Sequence, residues 1–487
     1  MQSLKITVLA AFVLFLGASC TDFLTELVPA QSLPSSAAFS DAAGLQTAMI
    51  GAYDALQSSD LGATGFAINA NVLSDNAEWR GSFPSYIDMF NRQLDAANGE
   101  VGGMWAQGYL ALNHANLVIQ GVDIVEDAAL TQALKDQLRG EALFLRGMIH
   151  FEMVRYFGKP WGPNSSSDLG IPVVTSAVDE STDITFPVRN TVADAYTQAI
   201  ADLTAAASLL DATGQRGRAN ATAATAYLAE IAFQQRNYPL AATLAGQVID
   251  AGYALTPNPE DPFVSEGSSE EIFAVISTTQ DNPGVNGSLA TFHHINGRGG
   301  DVVINTDLKD NGYGAIIPAS QQAEAPAGST LVDLRVKNLT SADLFNIEKY
   351  EDFTNNADDL ILNRLATFYL MRAEALARQN GVTQASLDLL NAIRTRAIRL
   401  VDADGVESDA SAIVSYEIGD FANADALIEA IILERRVELA FEGNRLHDLR
   451  RLMRDVRGVA FDADVLIFPI PQREIDANSM LVQNPGY

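Results

Sequence analysis

The chain has 487 residues, enough for a large core and too many for one small compact unit. A hydrophobic share of 48% excludes general disorder, and a formal charge of −30 argues against a nucleic-acid partner. With 61 Asp and Glu against 31 Lys and Arg, the surface suits a saline medium, where ions screen self-repulsion, or serves solubility alone.

The first residues read as an export signal. MQSLK is a short polar opening with Lys5, and ITVLAAFVLFLGAS is an uninterrupted apolar run, too short to span a bilayer comfortably. The run ends at Cys20, the single cysteine, which has no partner for a disulfide. Ala18 and Ser19 suit a small-residue cleavage site, and Cys20 resembles the lipid-modified first residue of a bacterial lipoprotein. Gly17 departs from that pattern, standing where an aliphatic residue is usual, and ordinary secretion with a free thiol is the simpler alternative. We expect a signal peptide over 1–19 and a lipidated tether over 20–38, broken by Pro29 and Pro34.

From residue 39 onward a single, mainly helical domain is expected. Apolar periodicity predicts helices over 41–57, 102–126 and 131–157, with a loop-rich segment over 58–99. The helix at 131–157 carries Leu138, Ala142, Leu145, Ile149, Met153 and Tyr156 on one stripe, and FGKPWGPNSSSD stops it. Helices follow near 190–211, 218–236 and 238–251. Over about 253–358 the helical period gives way to Gly, Pro, Asn and Asp, with strand-like pieces EEIFAVIST and DVVIN. Helices return at 359–380, 383–399 and 423–454, and the C-terminus is extended. The expected fold is all-α, a helical scaffold over 39–252 and 359–487 around a loop-rich, ligand-binding insertion.

An internal repeat narrows this expectation. Ala229, Ala232, Ala241, Ala245 and Val248 recur as Ala373, Leu376, Ala385, Leu389 and Ala392, all shifted by 144 positions. Small and medium residues at those places, with the turns QQRNYP and RQNGVT between, fit the close-packed helix pair of a tetratricopeptide unit. Such pairs bury their apolar faces only by stacking on neighbours.

Chemical motifs are sparse. There is no nucleophile elbow, Walker loop or zinc signature, and GRGGD at 297–301 lacks the lysine of a phosphate loop. Among the five histidines only the adjacent pair 293–294 is closely spaced, and neighbours in sequence tend to point apart. DADGVE at 402–407 has its glycine misplaced for a calcium loop; no cofactor is expected, and a structural calcium in the acidic loops stays open without a location.

The strongest constellation is IILERRVELAFEGNRLHDLRR. Glu434, Glu438 and Glu442 recur every fourth residue, the spacing of one helix face, and two of them could be read as the carboxylates of a glycosidase. Arg435, Arg436, Arg445, Arg450 and Asp448 interleave with them, however, and ion pairing keeps carboxylates charged and unsuited to act as general acids. A structural ion-pair network of Glu434, Arg435, Glu438, Glu442, Arg445 and Asp448 is expected. For ligand contact the candidates are loop aromatics: Trp79, Phe83 and Tyr86 in SDNAEWRGSFPSYID, and Phe292, His293 and Tyr313 in the long irregular region. Flat rings beside Asn, Asp and Arg could stack on sugars and hydrogen-bond their hydroxyls; ordinary packing is the alternative.

Three C-terminal blocks, ILNRLATFYLMRAEAL, LERRVELAFEGNRLHDLRR and FPIPQREIDANSMLVQNPGY, closely resemble those of the SusD/RagB family. LRGEALFLRGMIHFEMVRYFGKP, MWAQGYLALNHANLVI and the lipoprotein-like start extend the likeness over nearly the whole chain. The resemblance implies a tetratricopeptide-like scaffold and an outer-membrane lipoprotein at the cell surface. It also implies a SusC-like TonB-dependent transporter as partner, oligosaccharide or peptide as ligand, and no catalytic residues. A scaffold lipoprotein that binds only protein partners is the alternative.

Overall fold

The computed structural model describes residues 40–178 and 185–487; the expected signal peptide over 1–19, Cys20 and the expected tether lie outside the described residues. Nine helices of twelve or more residues among the described residues form the frame. They are α1 (Ala42–Gln57), α2 (Gly99–Ile124), α3 (Gln132–Phe157), α4 (Val192–Leu209), α5 (Ala221–Gln234), α6 (Tyr238–Ile249), α7 (Leu365–Asn380), α8 (Gln384–Ala397) and α9 (Ala424–Glu438). Eight of them start on a side-chain cap. Asp41, Asn98, Thr131, Thr191, Asn220, Asn237, Thr383 and Asn423 each accept a backbone N–H of the first turn, satisfying donors that have no partner inside the helix. Arg364, before α7, is the exception.

Each helix packs on the next from α1 to α6, then α6 packs on α7, and α7 holds both α8 and α9. Close approach is built into the sequence: a Cβ at Gly147 of α3 would sit 3.0 Å from the Ala199 carbonyl oxygen of α4. The repeated pairs therefore stand side by side, α5/α6 against α7/α8, across an insertion of more than a hundred residues. The repeat identifies the pairs but misplaces the register of the second. In α6 the repeat residues Ala241, Ala245 and Val248 are buried, whereas α8 buries Leu387, Leu390 and Ile393 and leaves Ala385, Leu389 and Ala392 more open. The cause is position: α6 lies between α5 and α7, while α8 packs on α7 from the other side and meets α9.

Three small antiparallel sheets tie the insertion to the frame. Strand β1 (Ala77–Trp79) pairs with β3 (Val302–Ile304), and β2 (Glu271–Val275) pairs with β5 (Leu360–Arg364). β4 (Thr330–Asp333) pairs with β6 (Ile398–Val401), which pairs with β7 (Glu407–Asp409). One hydrophobic cluster contains Leu45, Phe144 and Ala229 of the helices together with Phe273, Phe292, Val302, Tyr313 and Tyr350 of the insertion, so the irregular region shares the core of the scaffold.

Three segments differ from the sequence expectation. Residues 58–99 are not mainly loop: a π-helical turn, Gly62–Ile68, runs into the helix Asn69–Leu73, and Pro84–Asn91 forms another. Both of the first two are buried on every side, so no amphipathic stripe exists for periodicity to reveal. Residues 360–364, expected in a helix, are β5, drawn into pairing with β2. The expected helix over 423–454 breaks after Glu438 and resumes as Asn444–Arg451. Phe441 (φ +67°) and Gly443 (φ +81°) make the break, and a Cβ at 443 would lie 2.7 Å from the Phe66 carbonyl oxygen. Among the described residues no helix is long and apolar enough to cross a membrane.

Gly443 thus meets both a left-handed backbone and a backbone neighbour that has no free rotamer to escape into. Gly443→Ala is expected to cost at least about 1–3 kcal/mol in urea unfolding. Gly419→Ala, where a Cβ meets nothing within 4 Å, should stay within about 0.5 kcal/mol of the parent. Equal midpoints for the two variants would contradict this account of the break.

Candidate ligand-binding face

The glutamate motif enters a closed lattice. Glu434 lies 2.6 Å from Arg335 and 3.2 Å from Arg394. Glu438 meets Arg396 at 2.6 Å, Arg364 at 2.8 Å and Arg335 at 3.1 Å. Glu442, past the break in the helix, still joins through Arg364 at 2.8 Å and Lys349 at 2.7 Å. Asp333 pairs with Arg335 at 2.6 Å, and Glu270 pairs with Arg364 at 3.4 Å and with Arg396. No side chain among these ten is more than 7% exposed. Arg364, whose guanidinium has only donors and so cannot cap α7, puts it here instead. Around the lattice, Arg435 binds Asp448 at 2.8 Å, Arg451 bridges Asp448 and Glu374, and Arg445 grips Asp75 at 2.7 Å.

Electrostatics oppose an acid–base role for these carboxylates. Burial alone would raise the Glu438 carboxyl, but Arg396, Arg364 and Arg335 override it and hold it far below the ordinary range. Glu442 is lowered in the same way by Arg364 and Lys349, Glu374 by Arg451 and Arg378, and Asp448 by Arg435 and Arg451. The motif holds parts together and presents no free carboxylate to solvent.

Of the candidate aromatics, Trp79, Phe83, Tyr86 and Phe292 lie in and around the β1/β3 ribbon, whereas Tyr313 sits near Asp333 and Arg335 of the lattice and His293 near Lys349. Strand alternation decides which of them face out. Trp79 points inward and is 6% exposed; it stacks on Tyr86 at 4.6 Å, and Phe292 closes the box edge-on to Tyr86 at 5.5 Å. Tyr86 is 1% exposed, His293 is fully enclosed and Tyr313 is 8% exposed. His293 donates from Nδ1 to the Leu289 carbonyl at 2.8 Å and packs between Tyr350 and Phe441. Phe292 is likewise buried, and of the six residues expected to touch ligand only Phe83 is half open, its ring lying 4.7 Å from the Arg298 guanidinium. The other five are enclosed by protein, because the segments that carry them are part of the core.

What the ribbon offers to solvent is a different set. Arg80 follows Trp79 and points the opposite way, its side chain 54% exposed and 2.9 Å from Glu78. Its guanidinium stands 5.9 Å from the ring of Phe345, which is 39% exposed and held beside β3 by the Ile304 N–H to Phe345 carbonyl bond. The sequence signal for Arg80 is the alternation in AEWR; Phe345, in a loop without periodicity, has none. A flat ring beside a guanidinium and a carboxylate can stack on a sugar face and bind its hydroxyls. The DADGVE segment forms the turn between β6 and β7, with the Asp402 carboxylate accepting from Asp404 and Val406 N–H groups. Among the described residues no group of three or more His, Cys, Asp or Glu is placed to hold a metal ion.

Fold and face together define a class, a stacked helix-pair scaffold that displays a polar and aromatic surface on loops sharing its core. A family model described as "Starch-binding associating with outer membrane" matches residues 22–233, and the SusD family model matches residues 315–466. SusD-like protein P2 of Formosa agariphila is 25% identical over the full length of both chains. A SusD-like protein of Bacteroides ovatus is 27% identical over 31% of this chain and 25% of its own. Among solved structures, a putative sugar binding protein from Bacteroides vulgatus superposes with a TM-score of 0.75 at 24% identity, covering 92% of this chain and 99% of that one. A SusD superfamily protein from Bacteroides thetaiotaomicron gives 0.75 at 20% identity over 91% and 100%. The chain belongs to the SusD/RagB family. Proteins of this family are binding proteins associated with the outer membrane.

Removing one lattice charge leaves its partners buried and unpaired. Glu438→Gln is expected to lower stability by roughly 3–5 kcal/mol, read as a shift in the denaturant midpoint. Acidification should act in two stages. Below about 6.5 the unfolded chain protonates His150, His293 and His447, which burial keeps neutral in the fold, and stability falls. Glu230 and Asp358, raised by burial to about 7 and about 6, take up protons in the fold and offset part of that loss. Below 4.5 the unfolded chain also protonates Glu438, Glu442, Glu374 and Asp448 while the fold holds them ionised, and the loss steepens. A urea midpoint that stays level from pH 4.5 to 3 would contradict the ion-pair account.

Proposed function

We propose that the protein is a non-enzymatic, cell-surface nutrient-binding lipoprotein, anchored by lipid on Cys20 and facing outward. It captures glycan and delivers it to a SusC-like TonB-dependent transporter. Family membership supports the class, and the wording "sugar binding" attached to the Bacteroides vulgatus structure supports the ligand type. One observation carries the assignment to a surface: the exposed pair Arg80 and Phe345, with Phe83 half open nearby, on a ribbon whose inner side is locked by Trp79 and Tyr86. The stacked floor makes the outer side rigid, which keeps the ordering cost of binding low. In this reading Trp79 and Tyr86 act as the floor, and His293 and Tyr313 act in packing.

A glycan and peptide screen by calorimetry tests the assignment. Phe345→Ala and Arg80→Ala are each expected to weaken the best ligand at least tenfold without moving the melting temperature. Trp79→Ala should instead lower stability by roughly 3–5 kcal/mol, the usual scale for emptying a buried aromatic site. Full affinity in both Phe345→Ala and Arg80→Ala would remove the ligand from this face.

A further inference from the structure

Three segments of the described chain lie together and carry no acidic residue: 169–178, 185–193 and 477–487. Acids make up about one residue in eight overall, 61 of 487, so a gap of this length is a local feature of the surface. Arg189 ties the three segments into one. Its buried guanidinium donates to the carbonyls of Gly170 at 2.7 Å, Leu169 at 3.1 Å and Val482 at 2.9 Å, and to Asn484 Oδ1 at 2.9 Å. Asn478 donates to the Pro187 carbonyl at 2.8 Å, and Leu169 forms a β-bridge with Thr191. Arg189 is the one cation in the three segments, and like Leu481 it turns inward between exposed neighbours. Phe186, Val188, Met480 and Val482 are each more than half exposed, with Leu169 exposed beside them. Five apolar side chains thus share a face with no charge at its centre. Exposed apolar residues scattered singly need no explanation, but a contiguous, charge-depleted set is the pattern of an interface core. The rim has one sign. Asp168, Asp194 and Asp476 stand directly beside the three segments; Asp194 accepts from Thr191 and Asp476 from Gln472, neutral donors that leave both charges uncompensated.

We infer that this face docks a protein partner presenting an apolar patch edged by Lys and Arg, and that the partner is the outer-membrane transporter of the capture reading. The partner's identity rests on that reading; its chemistry follows from the uncharged centre and the acidic rim. A second copy of this chain does not fit, because a two-fold contact would set the same acidic rim against itself on chains of −30 each. Arg80 and Phe345 belong to none of the three segments, so docking and glycan contact use separate residues.

Co-purification of the full-length chain with the transporter from detergent-solubilised outer membranes tests this, the transporter being identified by mass spectrometry of its peptides. Two double variants place charge on the centre: Phe186→Glu with Val188→Glu, and Met480→Glu with Val482→Glu. Each changes side chains already more than half exposed, so the melting temperature should hold while recovered transporter falls at least tenfold. Asp476→Lys should lower recovery several-fold, as should added salt, because rim charges act through an attraction that ions screen. Val406→Glu, at an exposed valine in the turn between β6 and β7, should leave recovery unchanged. Full recovery with both double variants overturns the inference while the transporter pairing stands. If the parent chain recovers no transporter, the pairing fails and the inference with it, and glycan binding is then judged by calorimetry alone. A parent that light scattering shows to be a dimer, with either double variant monomeric, assigns the face to a second copy and overturns the inference. Loss of binding to phosphatidylcholine vesicles in both double variants, with transporter recovery intact, assigns it to the membrane and overturns it equally.

Discussion

Five buried carboxylates facing five buried cations hold this molecule to one arrangement. Glu270, Asp333, Glu434, Glu438 and Glu442 balance Arg335, Lys349, Arg364, Arg394 and Arg396, so the cluster carries no net charge although it is shut off from water. Its members come from α8, α9 and the break after it, the ends of β4 and β5, the short helix Leu334–Leu339, the segment at Lys349 and the loop before β2. Each arginine that left its place would strand a charge in the interior, a penalty of several kcal/mol, so the segments can shift only together. Apolar residues of equal volume could be as stable; what the ions add is directionality, since guanidinium forks meet carboxylates only along fixed directions.

That constraint explains how so irregular an insertion becomes a rigid part of the protein. Its strands are short, and none of them would persist alone. Each is clamped at a frame element by pairing, by the shared hydrophobic cluster, or by the lattice. The result places the exposed ribbon residues on a floor that does not move. Arg80 and Phe345 sit above a stacked Trp79 and Tyr86, and Arg298 is fixed between Asp301 and two rings. Loops on a rigid scaffold are a general solution for ligand recognition, since the scaffold is conserved in shape while the loops change in chemistry.

The scaffold was largely legible in the residues. Helix positions came within a few residues of those found, because caps such as Asp41, Asn220 and Thr383 and a regular apolar stripe mark them without ambiguity. The failures share one physical cause. GATGFAINANVL is buried all round and has no stripe; Leu360–Arg364 is a strand only because β2 lies beside it; and the helix at 424–438 stops where Gly443 must pass the Phe66 backbone. All three depend on partners far away in sequence. The aromatic candidates illustrate the same limit. Composition drew attention to Trp79 and Tyr86, yet which face of the ribbon is wet is set by β3 and Phe292, more than two hundred residues later.

The order in which the lattice charges occur along the chain has a temporal meaning. Arg335, Arg364, Arg394 and Arg396 all precede Glu434, Glu438 and Glu442, and Asp75 precedes its partner Arg445 by 370 positions. A nascent chain that has not reached the final helices holds four arginines with most of their counter-charges still unmade. It also lacks the turn at Gly443 that seats Phe66. Contacts of such long range also close slowly. The polypeptide is therefore kept from completing its interior until nearly all of it has been synthesised, and premature closure is discouraged by the very charges that later secure it.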